Sequence, residues 1–142
     1  MPKLQYAFRS VAEPKSIPDT VRWELPGRIL SHAKKHFKGK FTHIDVRFRG
    51  ALCYLDAYCD PSVRSEALPR PDTREYREYL KSHEDTVTHL CRLRYLGSRD
   101  IWGFEFFTYS SNKYEPSVFP SGLPTGTPED AFDIAASVHL SS

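Results

Sequence analysis

Hydrophobic and polar residues alternate one by one along two neighbouring stretches of the chain. Thr42, Ile44, Val46 and Phe48 interleave with His43, Asp45, Arg47 and Arg49. After Gly50, Ala51, Cys53, Leu55, Ala57 and Cys59 interleave with Leu52, Tyr54, Asp56 and Tyr58. A period of two with one apolar side marks a half-buried strand, so the pattern predicts a hairpin. With Arg49-Gly50 as a two-residue turn, Phe48 faces Ala51, Val46 faces Cys53 and Ile44 faces Leu55 on the dry side. His43 then stands opposite Asp56 on the other side.

A second hairpin follows the same rule. His89, Cys91, Leu93 and Tyr95 alternate with Thr88, Leu90, Arg92 and Arg94; a turn at Gly97–Asp100 leads into Trp102, Phe104 and Phe106, which alternate with Gly103, Glu105 and Phe107. A further short strand is expected at Ser117–Phe119.

Helical periodicity occurs in three places. Ile29, Leu30, Ala33 and Phe37 share one face of a helix expected over about residues 27–38, opened by Pro26 and closed before Gly39. At the other end, Thr127 is placed to cap a helix whose first turn holds Pro128, Glu129 and Asp130 and whose stripe is Ala131, Ile134, Ala135 and Val138. A shorter helix, Thr73–His83, sits within residues 60–85, an insertion between the hairpins marked by Asp60-Pro61 and Pro69-Arg70-Pro71. Residues 1–25, with Pro2, Pro14 and Pro18 and no sustained period, read as an extended arm with a short edge strand at Leu4–Phe8.

Antiparallel strands with one apolar side need cover, and two amphipathic helices supply it. The expected fold is a single α+β domain over residues 1–142. It is a two-layer sandwich in which a four- to five-stranded antiparallel sheet of two hairpins carries an N-terminal and a C-terminal helix on one face.

Composition narrows the picture. The chain has 142 residues, 39% hydrophobic and 13% aromatic, with a net charge of only +2, which argues against intrinsic disorder. No run approaches the ~18 apolar residues of a membrane span, and the opening MPKLQYAFRS lacks a signal-peptide core, so a cytoplasmic location is expected. Three cysteines cannot build a disulfide framework. Charge is unevenly placed. Residues 22–49 carry eight basic against two acidic groups, whereas residues 100–142 carry one basic against six acidic.

Functional chemistry is expected on the side of the sheet away from the two helices. There the alternation places His43, Asp45, Arg47, Tyr54, Asp56, Tyr58, Arg92, Arg94, Glu105 and Phe107. Arginine, tyrosine and histidine stack, fork hydrogen bonds or titrate near neutrality, whereas an ordinary solvated face favours lysine, glutamate and threonine. The plain alternative is a cross-strand ladder of ion pairs.

Three readings follow. The first is a non-catalytic binding module that holds a protein or anionic ligand through Arg47, Tyr54, Tyr58, Arg92, Arg94 and Glu105. The second is nucleic-acid binding through the basic segment 22–49. The third is a small hydrolase in which Asp56 orients His43 as general base.

Other motifs dissolve on inspection. His32 and His36 have a chelating spacing but enclose Ala-Lys-Lys and lack a third ligand, so no metal site is expected and the pair reads as solvated. Cys53 and Cys91 fall in phase with the core. Ser121–Thr127 lacks the Gly-Lys ending of a phosphate loop. No cofactor is expected.

Overall fold

The computed structural model describes residues 16–71 and 73–140. Its elements are α1 (Asp19–His36), β1 (His43–Arg49), β2 (Leu52–Tyr58), α2 (Arg74–Lys81), β3 (Val87–Tyr95), β4 (Trp102–Thr108), β5 (Lys113–Pro116), β6 (Thr125–Gly126) and α3 (Pro128–His139). All strand pairings are antiparallel, in the order β1-β2-β3-β4-β5, with β6 also joined to β4. The expected α+β architecture is present. Helices α1 and α3 lie on one face, α1 against β1 and α3 against β3 and β4.

The core between helices and sheet holds Leu25, Ile29 and Ala33 from α1, Leu55, Leu93 and Trp102 from the sheet, and Phe132 and Ala135 from α3. Arg28 ties the layer together, donating to Glu129 of α3 at 2.9 Å and pairing with Asp100 of the β3–β4 turn at 2.9 Å. His32 is not solvated as its sequence context suggested. Its Nε2 lies 2.7 Å from Asp133 Oδ1 on α3. Cys53 and Cys91 are fully buried, and burial pushes both thiols upward. Cys59 is exposed instead, its thiol donating to the Lys40 carbonyl.

Helix α1 begins a full two turns before the expected start, so the part of the supposed arm from Asp19 onward is helical. The reason lies in its burial. Val21, Leu25, Ile29 and Ala33 recur every fourth residue and all are buried. Pro26 sits inside the helix, where it removes a donor from the Arg22 carbonyl at a cost of about 3 kcal/mol. Burying Val21 and Leu25 contributes about 1.5–3 kcal/mol each, enough to carry the helix through the proline. The strand expected at Leu4–Phe8 lies outside the described residues. At the other end Thr127 caps α3, accepting from the Asp130 amide at 3.1 Å, and Pro128 occupies the first turn as expected.

Two departures in the sheet matter for function. The first hairpin turns on Gly50-Ala51 rather than Arg49-Gly50, with Gly50 at φ 60° and Arg49 opposite Leu52. Val46 therefore meets Leu55, Asp45 meets Asp56 and His43 meets Tyr58. Each residue keeps its face while its cross-strand partner moves by two positions. In the second departure, the β2–β3 register slips between Leu55 and Asp56, which face Cys91 and His89 respectively. Leu90 is the extra residue of a bulge. It is buried in the core beside Cys91, and His89 is turned to the second face. Near the end of the sheet, the extra strands are β5 and β6; no strand forms at Ser117–Phe119.

The interior proline gives a direct test. Pro26→Ala restores a helical donor, and after allowance for the freer unfolded chain it stabilises the protein by about 1–2 kcal/mol. Urea unfolding measures this, and a stability equal to or below wild type would show that α1 does not run continuously through residue 26.

Candidate functional site

The second face of the sheet is not left open. Residues 60–71 and 73–86 fold back over its β1–β2 side, and Thr73 caps α2 by accepting from the Tyr76 amide at 3.2 Å. Tyr76 and Leu80, four apart on α2, bury themselves against Tyr58 and Val63 in a second, smaller core. This docking encloses two acidic side chains that alternation alone would leave wet.

Asp45 and Asp56 are direct cross-strand neighbours, each 1% exposed. Like charges in that position repel, so each carboxylate needs its own donors. Asp45 accepts two hydrogen bonds from Arg77, at 2.7 and 3.0 Å, and a third from the Tyr76 hydroxyl at 2.8 Å. Asp56 has His89 Nδ1 at 2.9 Å and Arg47 at 3.5 Å. Burial, reinforced by the two aspartates, pushes the Tyr58 hydroxyl up to about 12. Tyr76 is raised as well, by burial first and then by Asp45.

These groups line a cleft of about 510 Å³ between α2 and the sheet, which also includes Lys81, Glu84 and Leu80. The carboxylates form its floor and are only 2% exposed as side chains, whereas their partners Arg47, Arg77 and His89 are 41%, 39% and 35% exposed. An entering molecule therefore meets guanidinium and imidazole edges together with the exposed side chains of Lys81 and Glu84. Both arginines are steadied by rings, Arg77 over Tyr76 at 4.8 Å and Arg47 over Tyr54 at 4.7 Å.

The expected site residues divide into two groups. Arg47, Asp56 and Tyr58 line the cleft. Arg92, Arg94 and Glu105 form a separate ladder across β3 and β4, in which Glu105 accepts from Arg92 and, at 3.0 Å, from Arg94. Burial raises the Glu105 carboxyl, but the two arginines outweigh it and hold it below its ordinary value. Tyr54 joins the groups, receiving a hydrogen bond from Arg92 at 3.3 Å and packing its ring edge against Tyr114.

The pairing of His43 with Asp56 does not occur. The shifted turn sets His43 opposite Tyr58, and its ring bonds Ser65 and Tyr76 under the insertion. His89 takes the place beside Asp56. Arg77, Lys81 and His89 were not among the expected site residues: the first two lie in the insertion, whose return over the sheet no local period announces, and the third depends on the bulge. Two adjacent apolar residues, Leu90 and Cys91, were the one local sign that alternation fails there.

The chain matches no family model, no curated protein and no solved structure. Among the described residues no group of three or more His, Cys, Asp or Glu side chains is arranged to hold a metal ion, and no helix is long and apolar enough to cross a membrane.

Burial drives the His43 imidazole below its ordinary 6.5, against an opposing pull from Asp45. The folded chain then binds fewer protons at this site than the unfolded chain. The stabilising contribution is complete above pH 6.5 and is lost as pH falls through the lower folded value. Denaturation at pH 7.5 and at about pH 5 is expected to show a larger loss for wild type than for His43→Gln; equal losses would mean that His43 takes up its proton alike in the folded and unfolded chains.

Proposed function

We propose that the protein is a binding module that holds a small anionic molecule in the cleft between α2 and the second face of the sheet. The observation that carries this reading is the asymmetry of exposure, with two buried acids beneath and the half-exposed guanidinium groups of Arg47 and Arg77 above. Asp45 fixes Arg77 through two hydrogen bonds, which lowers the entropy lost when the remaining N–H groups grip an oxyanion. Lys81 adds a third cation at the wall. A volume of about 510 Å³ suits a small molecule better than a protein surface. No catalytic step is asked of this cleft.

The nucleic-acid reading has less support. Arg28 is engaged by Glu129 and Asp100, and Arg22 lies over the Phe48 ring at 5.7 Å. A cytoplasmic location remains our reading, supported by three cysteines that are all free.

Calorimetric titration with pyrophosphate, citrate and adenosine monophosphate at low salt tests the proposal. At least one is expected to bind, with Arg47→Ala and Lys81→Ala each weakening it by about tenfold or more. Arg94→Ala, which alters only the neighbouring ladder, is expected to leave affinity unchanged. Absence of binding by all three, or equal weakening by Arg94→Ala, would refute the cleft as the site.

A further inference from the structure

His43 bridges Ser65, which lies outside the cleft, to Tyr76 and through it to Asp45. Ser65 opens a 3-10 turn, Ser65–Ala67, and its Oγ lies 2.7 Å from His43 Nδ1. On the far side of the ring, Nε2 lies 2.9 Å from the Tyr76 hydroxyl, which donates to Asp45 Oδ1 at 2.8 Å. Because the Tyr76 proton is directed at Asp45, the Tyr76 oxygen accepts from His43 Nε2–H. The neutral imidazole therefore keeps Nδ1 as an acceptor, aimed at the Ser65 hydroxyl. His43, Tyr76 and Asp45 are all buried, and the chain reaches the surface at Ser65.

Ser65 opens onto a second cavity, of about 420 Å³, which also includes Lys34, Lys38, Phe41 and Glu66. Glu66 is engaged by Arg64 at 3.2 Å. The two lysines come from the last turn of α1 and the residues just beyond it.

We propose that Ser65 is a nucleophile for ester hydrolysis, with His43 as its general base, and that Lys34 and Lys38 favour esters carrying a negative charge. This goes beyond the ligand cleft and does not rest on it, since the serine faces a different cavity. In the acylation step Ser65 Oγ bonds to the ester carbonyl carbon while its proton passes to His43 Nδ1. The carbonyl electron pair returns as the C–O bond to the alcohol breaks, and the departing alkoxide takes the proton from Nδ1. Water then attacks the acyl-serine, giving its proton to His43, and the acid leaves as Ser65 recovers a proton. Ester and water become acid and alcohol. During each step the imidazolium keeps its Nε2–H on Tyr76, whose link to Asp45 favours the positive ring. Tyr76 and Asp45 are positioning residues.

An alkyl fluorophosphonate serves as the probe, because its P–F bond breaks as Ser Oγ–P forms. Full-length wild type is expected to gain one adduct, located by peptide mass spectrometry at Ser65 and not at Ser62, Ser82, Ser98 or Ser121. Ser65→Ala is expected to gain none, and His43→Gln to react at about a hundredth of the wild-type rate. Tyr76→Phe keeps the ring and removes the relay, so the midpoint of labelling against pH is expected to move downward. The groups facing His43 in that titration are Asp45, Tyr58, Glu66, Tyr76 and Arg77. A midpoint that stays in place would make Tyr76 merely structural. Hydrolysis of a nitrophenyl ester with a free carboxylate is expected to show a higher KM in Lys34→Ala/Lys38→Ala, with a neutral ester unaffected; equal changes would overturn the charge preference. Lack of a Ser65 adduct in wild type overturns the proposal outright, even where the His43 variant does not fold. An undiminished rate in a folded His43→Gln does the same.

Discussion

Two carboxylates placed side by side across a pair of strands set the terms for the second face of this protein. At the ~5 Å separation of facing side chains, two unit negative charges repel by about 3 kcal/mol in a medium of intermediate dielectric. Asp45 and Asp56 occupy that arrangement while almost wholly removed from water. Such a pair persists only if cations and hydrogen-bond donors arrive from elsewhere in the chain. They come from three directions: Arg77 and Tyr76 on α2, His89 on β3 and Arg47 on β1 itself. The insertion is therefore a structural part of the sheet, held by ionic contacts as well as by its small apolar core.

The two faces obey different physics. Beneath α1 and α3 the contacts are almost all apolar, and position is fixed by packing of side chains such as Trp102, Phe132 and Leu93. On the other face, aromatic rings and charged groups alternate, and position is fixed by direction: Tyr54 under two guanidinium groups, His89 against Phe107 at 4.9 Å, Tyr114 against Phe107 at 4.9 Å. The apolar face gives the sheet a rigid base. The polar face uses it to hold arginines in fixed attitudes, the pre-organisation on which the proposed grip on a small anion rests.

How much of this the sequence disclosed depends on the range of the interaction. Which side of β1 and β2 is dry was legible, because parity survives a displacement of partners by two residues. The partners were not: moving the turn from Arg49-Gly50 to Gly50-Ala51 separates His43 from Asp56 and brings Asp45 there instead. The cap at Thr127 was legible because its bond spans three residues. The start of α1 was obscured by Pro26, whose local penalty is outweighed by burial of Val21 and Leu25 in a core built from distant strands.

The cleft itself shows why local pattern stops short of a site. Alternation correctly put Asp45 and Asp56 on the same side of adjacent strands, and two acids in that relation already imply a debt of positive charge. Nothing within the hairpin meets it in full, since Arg47 reaches Asp56 at only 3.5 Å. The missing donors had to lie in a segment rich in arginine and tyrosine that returns to the sheet, and residues 60–86 are the stretch between the hairpins able to do so. Charge runs that look solvated in isolation thus change meaning beside buried acids. Arg77 and Tyr76 follow from that reasoning, whereas His89 does not, because only the bulge at Leu90 turns its ring toward Asp56.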